Sequence, residues 1–247
     1  MRVRRPTAPT IMVAAVIAAL AAPCLWAVFA HHSFAVGDIA LIELRTRDVF
    51  SAHPPLVGAY SRYGWSHPGP LEFYLFAFPY RLFGGDFAAL RLTALLFNVA
   101  TLAVIAWVAR RRGVTALVVL MAVAVALVWG LNANALTDSW NVTIAVLPFL
   151  LAIVACWCAC CGDRWAWLVA AVAFSFVFQA HVGFGVVLAP LVLATAAWLS
   201  VRARRDHPEF TFGDITAGIG AALGLAIPVL IDVVAHWPGN LERLLKW

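Results

Sequence analysis

Long apolar segments separated by short polar ones dominate this sequence and exclude a water-soluble fold. Hydrophobic residues make up 64% of the 247 residues and charged residues only 12%, whereas soluble domains are about half apolar and a quarter charged. A helix needs about 20 apolar residues to cross a bilayer. The sequence therefore predicts an all-α, polytopic transmembrane helical bundle of about seven spans, forming a single membrane domain over residues 1–247. The predicted spans are 10–30, 87–109, 114–131, 142–161, 165–182, 183–200 and 214–236.

The basic residues predict how this bundle is oriented. All of the 17 except Lys246 are arginine, and most stand in short clusters between apolar segments, such as residues 110–112 and 202–205. Basic residues concentrate in the cytoplasmic loops of membrane proteins. The clusters therefore predict a multi-pass protein of the plasma membrane with a cytoplasmic N-terminus. They do not form the continuous basic stripe of a nucleic-acid-binding protein, so the bilayer is the expected partner and nucleic acid is not.

Residues 70–84 decide whether these clusters lie on one side. The segment is aromatic and apolar but has only 15 residues and carries Glu72, Pro79 and Arg81. A helix of that length spans about 22 Å, against a hydrocarbon core of about 30 Å. We predict that it is an interfacial helix. The arginine-bearing loops after it, which contain residues 110–112, 163–164 and 202–205, are then all cytoplasmic. The long loop 31–69 is extracytoplasmic.

Polar residues that could carry chemistry gather on the opposite, extracytoplasmic side. Loop 31–69 is long for a compact bundle, and such loops are usually functional. The turn 132–141, the turn near residue 181 and the C-terminal end from about residue 235 join it there. These places contain six of the seven histidines. The six are His31, His32, His53, His67, His181 and His236.

The first part of the long loop predicts an amphipathic helix. Asp38 is suited to cap a helix that begins at Ile39, which is the structural alternative to a catalytic role for this carboxylate. Glu43 and Arg47 are spaced for an i,i+4 ion pair. One face of the helix would be formed by Ile39, Ile42, Thr46 and Val49.

The end of the loop, residues 60–70, predicts an extended turn because Pro68 and Pro70 disfavour helix at the residues before them. Its Tyr and Trp residues fit either the aromatic belt of a membrane protein or a platform for a sugar and its phosphate. In the second interpretation Arg62 and His67 would face the phosphate.

Two further places hold candidate residues with open alternatives. Asp138 and Asn141 precede a predicted span, where Asp138 or Ser139 could instead cap the helix. Gln179 and His181 lie at the end of another span. They could line a cavity or form hydrogen bonds between helices.

The order of these features resembles a known family. A short basic N-terminus and one helix precede Asp38 in an external loop. A His67-Pro68-Gly69-Pro70 turn and an aromatic helix ending in Leu82-Phe83-Gly84 follow. An Arg- and Leu-containing helix then ends at residues 110–112. This order resembles the N-terminal module of the GT-C membrane glycosyltransferases, and within them the protein O-mannosyltransferase and aminoarabinose-transferase group of actinobacterial type. The resemblance covers residues 1–112 and extends loosely to residues 138–141 and 179–181.

The resemblance implies an enzyme that transfers a sugar from a polyprenyl-phosphate donor to an acceptor on the outer side. Asp38 would be the catalytic general base. Where the family often has Asp-Glu, this chain has Asp38-Ile39, so Glu43 is the candidate second acid. The implied substrate-binding residues are Glu43, Arg62, His67, Asp138, Asn141, Gln179 and His181.

Several expectations stay open at this point. No ligand spacing assigns metal-binding residues, although His and acidic side chains on the outside could hold a divalent ion. Relatives usually have more spans, so the chain could be a truncated or minimal member, or could work with a partner subunit. The alternative functions are a non-catalytic membrane scaffold and a transporter of lipid or solute.

Overall fold

A computed structural model describes residues 8–30, 33–132, 134–205 and 210–246, and these residues form a helical bundle. His31, His32 and the N-terminal arginines of the sequence analysis lie outside the described residues. A short 3₁₀ turn covers Ala135–Thr137. The helices are α1 (Ala8–Ala30), α2 (Gly37–Asp48), α3 (Leu71–Leu82), α4 (Phe87–Arg110), α5 (Val114–Leu131), α6 (Asn141–Ile144), α7 (Val146–Cys160), α8 (Arg164–Ala180), α9 (Val182–Arg204), α10 (Phe212–Leu225), α11 (Ile227–Ala235) and α12 (Gly239–Lys246).

Several of these helices can cross a membrane by length and composition. Five are long and apolar enough on their own. They are α1, α4, α5, α9 and the combined α6 and α7 over Asn141–Cys160. Helices α10 and α11 are long enough to cross only when they are taken together, and they are bent by 55° at their junction. Helix α8 is apolar but has only 17 residues. The prediction of an all-helical fold with several helices suited to a membrane is confirmed for the described residues. The seven predicted spans are not confirmed, because five helices qualify, or six if the bent pair is one span.

Proline explains both interruptions. Pro148 lacks the N–H group that would bond to the Ile144 carbonyl, and the break between α6 and α7 falls at Ala145. Pro228 occupies the first turn of α11, where its fixed backbone suits a helix start but cannot continue the preceding helix. Each of these two segments was predicted to be one continuous span.

The core lies where α4, α7 and α8 meet, and α9 and α10 pack on its far side. Many of its buried residues are alanines, including Ala152, Ala155, Ala166 and Ala170, which are fully buried. Small residues let helix backbones approach closely in membrane proteins. Trp167 extends this core to α10, where its Nε1 donates a hydrogen bond to the Ile215 carbonyl over 3.2 Å.

The bundle has two chemically different ends. At one end, which we call the arginine end, Arg111 forms an ion pair with Asp163. Arg112 donates to the Cys161 carbonyl over 3.0 Å, and Arg202 to the Cys160 carbonyl over 3.2 Å. The opposite end, which we call the cavity end, carries α2, α3 and the candidate residues.

Helices α2 and α3 differ in detail from their predictions. Helix α3 has 12 residues and is about 18 Å long, shorter than a hydrocarbon core. Helix α2 begins at Gly37 after Val36, which has no side-chain cap, so the prediction that Asp38 caps this helix is wrong. Asp38 instead lies in the first turn, where a carboxylate is favoured by the helix dipole. The predicted face of α2 is confirmed by Ile42 and Thr46, which are buried.

Candidate functional site

A single cavity of about 540 Å³ at the cavity end brings together five of the eight sequence-predicted site residues. We call it the polar cavity. The five are Asp38, Arg62, His67, Asn141 and His181. The rest of its wall comprises Tyr60, Ser61, Tyr63, Trp65, Trp140, Val142, Val182 and Gly183.

One wall of the cavity is a hairpin-like loop over residues 58–67. The His67 N–H donates to the Ala59 carbonyl, and the Gly58 N–H to the His67 carbonyl, both over 2.8 Å. Gly64 makes the turn with a φ of 85°, a conformation that favours glycine. The predicted extended course of this segment is confirmed. The loop presents Arg62 at its exposed tip and holds His67 at its buried base.

His67, which is buried, and His181, which is half-buried, form the floor of the cavity. The Val182 N–H donates to His67 Nδ1 over 3.2 Å, and the Phe184 N–H donates to His181 Nδ1 over 3.3 Å. A neutral imidazole that accepts at Nδ1 carries its proton on Nε2. Each ring is therefore held as an Nε2–H donor.

The surroundings keep both imidazoles neutral. Burial, and next the neighbouring His181, lower the pKa of His67 to about 4. Burial also lowers the pKa of His181. At neutral pH the floor of the cavity therefore offers hydrogen-bond donors and no positive charge. Among the five predicted residues that line the cavity, the positive charge comes from Arg62.

Asp38 and Arg62 occupy the exposed side of the cavity. The Arg62 guanidinium donates to the Tyr63 hydroxyl over 3.1 Å and lies 5.1 Å from the centre of that ring. The pKa of Arg62 is raised first by this hydrogen bond and to a smaller degree by the Asp38 carboxylate. A carboxylate and a guanidinium therefore share the cavity mouth, with two neutral imidazoles below them.

Asn141 ties the cavity to the helical core. Its side-chain amide donates to the Ala180 carbonyl over 2.9 Å, next to His181. This bond joins the start of α6 to the end of α8. Asn141 thus lines the cavity and also fixes two of its walls relative to each other.

Three predicted site residues lie outside the polar cavity. Glu43 is buried between α2 and α3, where it accepts from Arg47 over 2.6 Å and from the Tyr80 hydroxyl over 2.8 Å. This confirms the predicted pair with Arg47. Gln179 donates to Ser175 and to the Leu225 carbonyl, both over 3.1 Å. The second bond joins α8 to α10, which agrees with the alternative that Gln179 forms hydrogen bonds between helices.

Asp138 lines a separate cavity of about 490 Å³ beside Arg91. Its carboxylate accepts from the Trp140 N–H over 2.9 Å and thereby closes the turn before α6. The residue that caps α6 is Trp140, without a side-chain bond. The alternative that Asp138 or Ser139 caps this helix is therefore wrong.

Two residues near the site were not predicted. Glu72 of α3 is 2% exposed, and burial, followed by the nearby Asp138, raises its pKa well above the ordinary value. An acidic residue inside an apolar segment was the sequence feature that could have identified it. Asn240 of α12 accepts from the Ser66 N–H and donates to the Ser66 carbonyl, each over 2.8 Å. No local sequence pattern indicates this contact.

No metal-binding group of three or more His, Cys, Asp or Glu side chains occurs within residues 8–30, 33–132, 134–205 and 210–246. Comparison of the chain with models of protein families, with curated proteins and with solved structures gives no match.

Proposed function

We propose that the chain is a membrane glycosyltransferase that moves a sugar from a polyprenyl-phosphate donor to an acceptor on the extracytoplasmic face. The observation that carries the proposal is the shared cavity. Asp38, Arg62, His67, Asn141 and His181 come from four separate parts of the sequence and line one space of about 540 Å³. Ligand sites commonly have this size and a few convergent polar groups.

In this proposal Asp38 is the general base. Its carboxylate takes the proton of the acceptor hydroxyl while the hydroxyl oxygen forms a bond to the anomeric carbon of the donor sugar. The bond between that carbon and the phosphate oxygen breaks, and its electron pair leaves with the lipid phosphate. Attack on the face opposite the leaving group inverts the anomeric configuration, as in other glycosyl transfers through an oxocarbenium-like transition state.

Arg62 and the two imidazoles fit the needs of the leaving phosphate. A guanidinium binds phosphate oxygens through paired N–H groups, and preorganised donors stabilise charge that develops in the transition state. Because His67 and His181 accept backbone N–H groups at Nδ1, their Nε2–H groups remain as donors. Glu43, Asp138 and Gln179 support the surrounding helices rather than the substrate.

We also propose seven spans, with α8 as one of them and the bent pair α10 and α11 as another. Helix α8 has 17 residues and a length of about 26 Å, which mild bilayer thinning accommodates. Its first residues lie beside the Arg111–Asp163 pair and its last beside Asn141. The positive-inside rule then makes the arginine end cytoplasmic and the polar cavity extracytoplasmic, in the plasma membrane.

The decisive experiment compares Asp38→Asn with the matched control Asp48→Asn, which changes an acid at the other end of α2. Both variants are reconstituted with a polyprenyl-phosphate sugar and a hydroxylated acceptor, and transfer of labelled sugar is measured. Loss of a general base lowers the rate by about 100-fold or more, so Asp38→Asn should lose transfer while Asp48→Asn retains it. Equal transfer by both variants would overturn the catalytic assignment. Movement of labelled donor across the vesicle without transfer would indicate a transporter.

The sidedness is tested by labelling with a membrane-impermeant maleimide. Cys161 is exposed at the arginine end, so it is first replaced by serine and His53→Cys is then introduced in the loop before α3. Intact cells should label His53→Cys from outside. The same reagent should label native Cys161 only after the membrane is permeabilised. The reverse pattern would contradict the proposed orientation.

A further inference from the structure

A second large crevice lies at the arginine end, far from the polar cavity. It has a volume of about 510 Å³ and lies between the first half of α1, the last half of α4 and the start of α5. We call it the α1 crevice. Apolar side chains form most of its wall, including Val13, Ile17, Ala103 and Leu117, and Arg110 stands at its end.

Helix α1 is less deeply buried in its first half, where it lines the crevice, than in its last two turns. The buried residues of α1 are Cys24 and Val28, both in its last two turns near the cavity end. Within residues 8–20, no side chain is buried. Helix α1 is thus buried against α4 near the cavity end, whereas towards the arginine end Val13, Val16 and Ile17 are only partly buried against the core. A gap of this size between apolar helices in a bilayer fills with hydrocarbon.

The charge at the mouth of the crevice indicates what the hydrocarbon is attached to. Arg111 is engaged by Asp163, and Arg112 donates to the Cys161 carbonyl. The Arg110 guanidinium makes no hydrogen bond or ion pair with any side chain in the part of the chain that the structure describes. It is exposed, and two further arginines are adjacent in sequence. An anionic group is therefore favoured beside Arg110.

We propose that the α1 crevice is a binding site for an anionic glycerophospholipid, with one acyl chain between α1, α4 and α5 and the phosphate at Arg110. Basic pockets between membrane helices are suited to anionic lipid head groups. This site is independent of the proposed sugar transfer. Its consequence is structural, because the lipid would brace α1, which leads directly to the segment that carries Asp38.

The test uses native mass spectrometry of the detergent-solubilised chain titrated with phosphatidylglycerol or phosphatidylcholine of identical acyl chains. The native protein should retain phosphatidylglycerol in preference to phosphatidylcholine. Arg110→Gln should weaken phosphatidylglycerol binding by about fivefold, the change expected for one basic group near a lipid head group. The control Arg205→Gln changes an exposed arginine of the same end that does not line the crevice, and it should leave binding unchanged.

A second pair of variants tests the place of the acyl chain. Ala103→Phe and Ala14→Phe fill the crevice from opposite sides and replace residues that are exposed to it. Either should reduce retention of both lipids. The proposal is overturned if the two lipids bind equally to the native protein, if Arg110→Gln binds like Arg205→Gln, or if both filling variants bind normally. A dimer that these variants abolish would also overturn it, by assigning the crevice to a second copy of the chain.

Discussion

The imidazole rings of His67 and His181 lie 4.9 Å apart between centroids, with an angle of 32° between their planes. One ring ends the hairpin-like loop and the other caps α9. Each accepts a backbone N–H at Nδ1 from the first turn of that same helix. The start of α9 therefore sets the position and the tautomer of both rings at once.

We predict that His67 makes stability depend on pH. Its folded pKa of about 4 lies below the ordinary value of 6.5, so the unfolded chain takes up a proton that the folded chain resists. Stability should therefore fall as the pH is lowered from about 6.5 to about 4, by up to about 3 kcal/mol. In His67→Asn an amide oxygen can still accept from Val182 but does not titrate, and much of this slope should be lost. Thermal unfolding in detergent at several pH values measures it.

The control is His53→Asn, which changes an exposed histidine outside the cavity. It should keep the pH slope of the native chain. If His67→Asn and His53→Asn show the same slope, the buried imidazole does not cause it.

We predict the opposite pH dependence for Glu72. Burial raises its pKa well above 4.5, so the folded carboxyl keeps a proton that the unfolded chain releases, and stability falls as the pH rises above about 4.5. Glu72→Gln removes this ionisable group with little change in shape. The variant should unfold at a higher temperature than the native chain at neutral pH, and the difference should shrink towards pH 4. Glu242→Gln, at an exposed position of α12, should show no such trend.

We predict that Gly69→Ala destabilises the site by about 1–3 kcal/mol, as overpacking typically does. A Cβ atom at Gly69 would lie 2.2 Å from Gln179 Oε1. Gly130→Ala is the control, because a Cβ there meets open space within α5 and alanine favours helix. A double variant with Gln179→Ala should recover part of the loss in thermal unfolding. If it recovers none, the clash with the Gln179 side chain is not the cause.

We predict that Asn240→Ala loosens the hairpin-like loop. The substitution removes both hydrogen bonds that the Asn240 side chain makes with Ser66, and each such bond contributes about 1 kcal/mol. Amide hydrogen exchange within residues 60–66 should become about tenfold faster or more. Asn134→Ala is the control, since that side chain makes no hydrogen bond with residues of the described ranges. Unchanged exchange in Asn240→Ala would show that the loop holds its shape alone.

The sequence predicted the helices well where hydropathy alone determines them. Segment 114–131 matches α5 residue for residue, and 87–109 ends one residue short of α4. The breaks at Ala145 and Ala226 were missed because hydropathy averages over the prolines that cause them. The number of spans depends on α8 and on the bent pair, and composition does not determine either.

The site was predictable to the extent that loop residues on one side of a bundle must lie near one another. This reasoning grouped Asp38, Arg62 and His67, and Asn141 and His181 joined them from other turns. It could not separate Glu43 and Gln179 from that group. The rotation of a helix about its own axis decides whether a side chain faces a cavity or a neighbouring helix. Their buried partners, Tyr80 and Leu225, are remote in sequence.

The Ser66–Asn240 contact also constrains how the chain reaches its folded state. The two residues are 174 positions apart, so the loop that forms one wall of the polar cavity lacks its contact with α12 until nearly all the helices have been synthesised. Contacts of such high sequence separation form slowly and late. The membrane insertion of the first helices and the completion of the cavity are therefore separate events in biogenesis, and a chain stalled between them would leave the Ser66 backbone without its α12 partner at the cavity end.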